Sequence, residues 1–313
     1  MNRTDHDHDR QRPDRTNRRR LLQGAGAAAL GLSLSGRSPR AASQEARSNA
    51  LKGNINHSIV HWCFSDVWEP ESFVRVAKAL GCRSIELPPP SMYPLLKAQG
   101  LDCAIGTIDM SPDPPFVKGF NNPEHHEQVI DATRSAIDAC AEHGFKRVIA
   151  FTGMADGISP EQGAENCVRG FKKILGHAEK QGVTLCLEML NTRADDHPMK
   201  GHPGYQGDHT EYCIDIIKRV GSENLKLLFD VYHVQIMDGD LIRRIRQHKD
   251  SIGHVHTAGN PGRGELDDSQ EIHYGPVMQA LVEVGFDGYV GHEFIPTRDP
   301  LQGLRQAVAV CDV

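Results

Sequence analysis

The sequence lacks the features that mark metal ribbons, membrane proteins and dinucleotide-binding domains. Its eight cysteines include no C-x-x-C pair, which excludes a zinc ribbon and a thioredoxin-like motif. No glycine-rich fingerprint follows the first predicted strand, as a dinucleotide-binding fold would require. After residue 43 no apolar run reaches the length of about 20 residues that a membrane-spanning helix needs. The chain has 313 residues, which is long enough for one large domain with a substantial core.

Net positive charge is also absent beyond residue 43. Residues 1–43 hold nine of the 35 Lys and Arg residues and four of the 41 Asp and Glu residues. The remainder therefore has 26 basic and 37 acidic side chains, a formal net charge of −11. A nucleic-acid surface needs clustered Lys and Arg, so we expect no nucleic-acid partner.

The amino-terminal region has the order of a twin-arginine export signal. A polar start of residues 1–16 precedes the pair Arg18 and Arg19, two leucines, a weakly apolar run at 24–34 and small residues at 41–43. The run is shorter than the roughly 20 apolar residues of a spanning helix. We expect residues 1–43 to be a disordered start plus a signal peptide, and the product to be periplasmic or exported, without a stable membrane anchor.

From residue 57 onward, short apolar runs alternate with longer amphipathic segments. The pattern predicts eight strands, at 57–64, 84–87, 101–108, 147–153, 184–190, 225–230, 252–258 and 288–294. Helical segments lie between and after them, and no hairpin turn joins adjacent strands, so the strands are expected to be parallel. Eight such units in about 250 residues match a closed barrel. We predict an α/β fold, a single (β/α)₈ TIM barrel over residues 44–313, with an open doubly wound sheet as the alternative.

Four predicted strands end in residues that can bind a metal. Side-chain parity places Glu188, Asp230, His256 and Glu293 at the inward-facing ends of strands five to eight. Barrel sites draw on several strand ends, so these side chains are expected to converge. Three unpaired carboxylates so close together would be strongly destabilising without a cation. Oxygen-rich ligation with one nitrogen favours Mn²⁺ or Mg²⁺, with Co²⁺ and Zn²⁺ as alternatives. Asp230 taken alone could instead cap a helix.

The segments LLFDVYHVQIMDGD, GHVHTAGNPGRGELDD and GYVGHEFIP closely resemble hydroxypyruvate isomerases of the xylose isomerase-like superfamily of sugar isomerases and epimerases. The resemblance implies that the four strand-end residues bind one divalent metal and that Glu188 and Glu293 also transfer protons. It further implies that His233 and Arg263 hold the substrate's oxygens. His256 stands where hydroxypyruvate isomerases usually carry glutamine, and in this respect the chain is more similar to ketose 3-epimerases.

These residue types suit proton transfer beside a carbonyl group. A carboxylate takes the proton from the carbon next to C=O, and a cation stabilises the resulting enediolate. Glu188 and Glu293 could approach opposite faces of a flat enediolate, as inversion requires, whereas isomerisation can use one base. Arg263 lies in the turn NPGRGE and could pair with a substrate carboxylate. Glu86, at the end of the second strand, is a candidate pocket residue, with a structural role equally open.

We therefore expect a divalent-metal-dependent isomerase of a small-molecule carbonyl sugar or keto acid, of the type that converts hydroxypyruvate to tartronate semialdehyde, with a homo-oligomer left open. A periplasmic ketose or 3-keto-sugar epimerase or lyase would use the same proton abstraction, and the export signal favours it. An apurinic endonuclease of the same superfamily would need a multi-zinc cluster and a basic surface. An exported sugar-binding barrel would bind its ligand without metal-dependent proton exchange.

Overall fold

Seven parallel strands form a curled sheet in residues 50–313, the part of the chain that the computed structural model describes. The predicted export signal with Arg18 and Arg19 lies outside these residues. The strands are β1 (Asn56–Val60), β2 (Ser84–Glu86), β3 (Arg147–Phe151), β4 (Thr184–Glu188), β5 (Leu225–Asp230), β6 (Ile252–Thr257) and β7 (Tyr289–His292). Their order in the sheet is β2-β1-β7-β6-β5-β4-β3.

The predicted strand at 101–108 closes the sheet between its two edges without forming a regular strand. Asp102 forms a parallel bridge to Ser84 of β2, and Gly106 forms one to Val148 of β3. Between these bridges, the backbone N–H of Cys103 donates to the Asp102 side chain and that of Ala104 donates to Ser84 Oγ. Because side chains take these two donors, the backbone ladder is interrupted. The eight-unit barrel that the sequence predicted is confirmed, with one unit irregular.

Helices connect the strands, as the crossovers of a parallel sheet require. They are α1 (Pro70–Ala79), α2 (Tyr93–Ala98), α3 (His126–Glu142), α4 (Pro160–Gln181), α5 (Thr210–Val220), α6 (Val231–Met237), α7 (Leu241–Gln247), α8 (Tyr274–Glu283) and α9 (Pro300–Cys311). Single 3₁₀ turns lie at Pro90–Met92, Pro123–His125 and Lys249–Ser251. The longest helix, α4, begins after the Ser159 side chain, which caps the N–H of Gln162, and ends at Gly182 with φ 63°. None of the helices between residues 50 and 313 has the length and apolar character of a membrane crossing.

The strands end earlier than the apolar runs that predicted them. The run 57–64 becomes a strand that stops at Val60, and the run 288–294 becomes one that stops at His292. The residues beyond these ends turn across the carboxyl-terminal edge of the barrel, where barrel enzymes hold their sites. All eight cysteines lie in the described part and are unpaired, seven of them buried. The core therefore depends on packed apolar side chains and not on disulfides.

Candidate metal centre and active site

The structure brings Glu188, Asp230, His256 and Glu293 to one point at the carboxyl-terminal end of the barrel. Each offers one ligand atom, and these four atoms lie within 4.8 Å of one another. His256 Nδ1 is 2.8 Å from Glu293 Oε2 and 3.5 Å from Glu188 Oε1. The parallel register explains the convergence, because Asp230 pairs with His256, and His256 pairs with Gly291, two residues before Glu293. All four side chains are buried.

Asp230 both caps a helix and faces the cluster. Its Oδ1 accepts the backbone N–H of Tyr232 at 2.8 Å and that of His233 at 3.4 Å, and so caps α6. Its Oδ2 faces the cluster and lies 3.4 Å from Arg263 Nη2. The two interpretations of Asp230 that the sequence left open are therefore compatible, and α6 is a helix that the apolar pattern did not predict.

The four residues could hold one divalent cation. Glu188 Oε1 and His256 Nδ1 are buried without a hydrogen-bond partner, although their neighbours are close enough to provide one. Buried polar atoms normally have partners, so a cluster of unpartnered atoms aimed at each other needs a further group. Three carboxylates and one imidazole form a ligand set that suits a divalent metal.

Burial and mutual repulsion shift the pKa values of these carboxyl groups apart. Burial raises the pKa of Glu188 to about 7, and the neighbouring Glu293 adds to the shift while His256 opposes it. Burial also raises the pKa of Asp230 to about 6, against the charge of Arg263. For Glu293 burial acts in the same direction, but His256 and Arg263 outweigh it and lower the pKa. Without a cation, Glu293 is the carboxylate that stays ionised, and Glu188 is the one that binds a proton as the pH falls below about 7.

Arg263 neutralises two carboxylates of the cluster. Its Nη2 donates to Glu293 Oε2 at 2.6 Å and lies 3.4 Å from Asp230 Oδ2, while Nη1 donates to the backbone carbonyl of Met199. The guanidinium lies 5.5 Å from the Trp62 ring and 5.6 Å from the Tyr232 ring. Both terminal nitrogens of Arg263 thus have protein acceptors, and only Nε is buried without one. A direct substrate contact by Arg263 stays a prediction.

His233 presents one N–H to the site. Its Nδ1 accepts from the backbone N–H of Asn191 at 3.0 Å and faces the Asn191 side-chain amide at 2.7 Å. Burial lowers the pKa of His233 well below its usual value, and the charge of Arg263 lowers it further. The ring is therefore neutral with its proton on Nε2, which has no hydrogen-bond partner and lies 3.6 Å from Asp230 Oδ2. The ring is fully buried and does not line the cavity, so a contact between this N–H and a substrate stays a prediction.

Glu86 lies on the other edge of the His256 ring and not at the cavity. Its carboxylate is fully buried, 2.6 Å from His254 Nε2 and 3.7 Å from His256 Nε2. Glu86, His254 and His256 form a second group whose potential ligand atoms lie within 4.8 Å. The structure thus brings six of the seven predicted site residues together around the cavity and the centre, and places Glu86 behind His256.

A cavity of about 340 Å³ opens beside the cluster. Glu188, Glu293 and Arg263 form its polar end, and most of the remaining wall is apolar. The lining also includes Trp62, Leu87, Thr107, Pro114, Pro115, Phe116, Ile149, Phe151, Leu190, Met199 and His202. The sequence did not indicate Trp62, Phe116 or His202, because loop residues that meet only in the folded state share no spacing or periodicity. His202 and Met199 belong to the segment 191–209, which crosses the carboxyl-terminal edge after β4.

Comparison with known proteins assigns the fold to a family. A family model described as "Xylose isomerase-like TIM barrel" matches residues 74–312. The chain belongs to the xylose isomerase-like TIM barrel family. It is 30% identical over 187 residues to the hydroxypyruvate isomerase of Escherichia coli, covering 58% of this chain and 68% of that protein. It is 36% identical over 137 residues to a putative hydroxypyruvate isomerase of Mus musculus, covering 44% of this chain and 47% of that protein.

A solved structure from Brucella melitensis, named AP endonuclease, family 2, superposes with a TM-score of 0.70 at 25% identity and covers 80% of this chain and 97% of that one. The chain spans about half the length of the mouse relative that it matches. The chain therefore combines sequence similarity to proteins named isomerases with a barrel whose strand ends carry the four-residue cluster.

Proposed function

We propose that the protein is a divalent-metal-dependent isomerase of a small keto acid or carbonyl sugar, of the type that converts hydroxypyruvate to tartronate semialdehyde. The observation that carries this proposal is the convergence of Glu188, Asp230, His256 and Glu293 beside a cavity. The similarity to a hydroxypyruvate isomerase of Escherichia coli supports it. Mn²⁺ or Mg²⁺ suits three oxygen ligands and one nitrogen best.

Glu188 is the carboxylate best placed to move the proton. A divalent cation held by the four residues would polarise the substrate carbonyl and stabilise the charge that develops on its oxygen. Glu188 lines the cavity, and its Oε1 faces the other cluster residues, so the second oxygen of the carboxylate could take a proton from the carbon next to the carbonyl. Glu293 is less basic, because Trp62 Nε1 donates to its Oε1 at 2.8 Å and Arg263 donates to its Oε2. One free base matches isomerisation, which returns the proton to the neighbouring carbon.

His233 would complete the transfer on the oxygen side. With hydroxypyruvate, a proton leaves the hydroxymethyl carbon and is returned to the former carbonyl carbon. The former carbonyl oxygen gains a proton and the hydroxyl oxygen loses one, so no redox partner is needed. His233 Nε2 would donate its proton to the oxygen that gains charge and take up the proton that the hydroxyl oxygen loses, so that the ring ends neutral.

A ketose or 3-keto-sugar epimerase or lyase is the second candidate, and the cavity favours it. Cavities of about 300 to 1,000 Å³ enclose most of a drug-sized ligand, and a three-carbon acid is much smaller. The apolar wall, with Trp62 and Phe116, would pack against the carbon face of a sugar ring. His256 also supports the second candidate, because a histidine at this position makes the chain more similar to ketose 3-epimerases.

The name of the Brucella structure suggests a nuclease, and the charge of this chain argues against that activity. Outside residues 1–43 the formal net charge is −11. Phosphate contacts supply most non-specific DNA affinity and need Lys and Arg. We therefore propose a small-molecule substrate and no nucleic-acid partner.

Solvent deuterium exchange tests the proposal. The metal-loaded protein is incubated in D₂O with hydroxypyruvate, a ketose or a 3-keto-glycoside, with Mn²⁺ or with chelator. We expect Mn²⁺-dependent exchange that is lost in Glu188→Gln and retained in the control Asp102→Asn, because Asp102 accepts the Tyr289 hydroxyl and contacts none of the four cluster residues. Exchange with the 3-keto-glycoside alone would favour the second candidate. Ligand binding without exchange for any carbonyl compound would refute both and indicate a sugar-binding barrel.

The export of the protein through the twin-arginine route is a separate proposal. It is supported by the order of residues 17–43, in which Arg18 and Arg19 precede the apolar run. Fractionation of cells that express the full chain would test it. We expect wild-type protein in the periplasm and the Arg18→Lys, Arg19→Lys double variant in the cytoplasm, and equal distribution of the two would refute the signal.

A further inference from the structure

One fully buried carboxylate faces two imidazoles at the back of the proposed metal centre. Glu86 Oε2 lies 2.6 Å from His254 Nε2, and Glu86 Oε1 lies 3.7 Å from His256 Nε2. The three side chains have no solvent exposure. In the part of the chain that the structure describes, Glu86 forms ion pairs with these two rings and with no lysine or arginine. A buried carboxyl group needs hydrogen-bond partners, and the two rings are the groups within reach.

The barrel makes room for this carboxylate with a glycine. A Cβ atom at Gly291 of β7 would lie 1.5 Å from Glu86 Oε1 and 2.6 Å from the carboxyl carbon. Any other residue at position 291 would therefore displace the Glu86 side chain. Glycine weakens a strand interior and often marks a close approach by another group, which here is the Glu86 carboxylate.

His256 needs a proton acceptor on that side if it is to bind a metal. Its Nδ1 faces Glu188 and Glu293, so Nδ1 is the nitrogen whose lone pair is available to the centre. A neutral imidazole that ligates through Nδ1 carries its proton on Nε2. The acceptor facing Nε2 is Glu86. Neither contact meets hydrogen-bond geometry: the His254 contact is misaligned, and the His256 contact is too long at 3.7 Å. The terminal torsion of a glutamate is soft, so the carboxylate can rotate toward either ring.

We infer that Glu86 is a positioning residue of the metal centre: its carboxylate accepts the Nε2 protons of His254 and His256 and so holds the Nδ1 lone pair of His256 toward the cation. Because Nδ1 and Nε2 are on different edges of the ring, Glu86 acts through His256 and does not touch the substrate. This assignment differs from the pocket role that the sequence suggested for Glu86. It rests on the proposed metal-dependent function.

Metal affinity gives the first test. Mn²⁺ dissociation constants are measured for the wild type, Glu86→Gln and Glu86→Asp, with Asp102→Asn as a carboxylate-to-amide control outside the centre. We expect affinity to fall about 10- to 100-fold in Glu86→Gln, the usual effect of losing the hydrogen-bond partner of a metal-bound histidine, and to recover in part in Glu86→Asp. Unchanged affinity in Glu86→Gln would refute the inference while leaving the proposed function intact.

The second test reads the ring protons directly and does not depend on metal. In ¹⁵N–¹H spectra of the metal-free protein labelled at histidine, hydrogen bonds to Glu86 should move the Nε2 protons of His254 and His256 downfield and slow their exchange with water. We expect both signals to move in Glu86→Gln and to stay in Asp102→Asn. If the wild type shows these downfield Nε2 signals but binds no metal, the proposed function is refuted, while the hydrogen bonds from the two rings to Glu86 are supported.

The wild type alone decides the question if Glu86→Gln does not fold. With diamagnetic Zn²⁺ or Mg²⁺ bound, the spectra should show His256 protonated at Nε2 and bare at Nδ1. A proton on Nδ1, or an Nε2 proton that exchanges as fast as that of an exposed histidine, would overturn the inference.

Discussion

The carboxyl group of Glu188 is buried with one oxygen unpartnered. The Glu188→Gln variant measures how much this burial lowers the free energy of unfolding of the metal-free protein. Burial, with the charge of Glu293, raises the pKa of Glu188 from 4.5 to about 7. The folded protein then holds this proton more tightly than the unfolded chain, so its stability falls as the pH rises from 4.5 to 7. At about 1.4 kcal/mol per pKa unit, full ionisation lowers the free energy of unfolding by about 3 kcal/mol.

Glutamine has nearly the same shape and cannot ionise, so it removes this cost. Urea denaturation in the presence of chelator should show Glu188→Gln more stable than the wild type, by about 1 kcal/mol at pH 5.5 and about 3 kcal/mol at pH 8. A variant that is less stable than the wild type at pH 8, or a difference that does not change with pH, would refute the reasoning.

Glu265→Gln provides a control of opposite sign. Burial opposes the ionisation of Glu265, but Thr297 and the backbone N–H of Arg298 outweigh it and lower the pKa. The ionised form of Glu265 therefore stabilises the fold above its unfolded pKa, and this contribution is lost as the pH falls through the folded value. The Glu265→Gln variant should be destabilised at pH 8, with a difference that shrinks in acid.

Three further predictions concern the centre and the cavity. Mn²⁺ at 100 times its dissociation constant for the wild type should raise the wild type's free energy of unfolding by about 2.7 kcal/mol in thermal or urea unfolding. An equal effect on Glu188→Gln at the same Mn²⁺ concentration would place the metal elsewhere. His233→Gln should lower kcat by about 10² to 10³ with Mn²⁺ affinity unchanged, because the glutamine amide can donate a hydrogen bond but cannot transfer a proton; a change in KM alone would contradict that role. Trp62→Ala should raise KM for a ring-sized keto sugar more than for hydroxypyruvate, and equal effects would show that the apolar wall does not contact the substrate.

The fold followed from the alternation of apolar and amphipathic segments, and its irregularities depended on side chains that such patterns do not weigh. The run 101–108 looks like any other strand, yet Asp102 and Ser84 take backbone donors that a regular ladder would use. The helix α6 is short and lies in an apolar segment, so its periodicity is not visible. Its start is set by the Asp230 cap, which is a local hydrogen bond and not a pattern.

The sequence predicted the four residues of the candidate metal centre because their positions follow from strand parity. Residues at the ends of neighbouring parallel strands must meet at one edge, and Glu188, Asp230, His256 and Glu293 do so. The surroundings of the centre depend on contacts between distant loops. The hydrogen bond from Trp62 to Glu293 joins residues 231 positions apart, and the space that Gly291 leaves for Glu86 is visible only in three dimensions.

Glu188 and Glu293 differ in their hydrogen-bond donors, and this difference affects both the stability of the protein and the chemistry of the site. Trp62 and Arg263 satisfy both oxygens of Glu293, which stabilises its charge and makes it a weak base. Glu188 has no such donors, so its ionisation is costly and its free oxygen is reactive. A cation bound at Oε1 would offset the electrostatic cost, and the second oxygen of this cavity-lining carboxylate would stay available to a substrate. The lack of donors at the Glu188 carboxylate therefore explains why the metal-free protein should lose stability at alkaline pH, why metal should restore it, and why Glu188 is the base we propose.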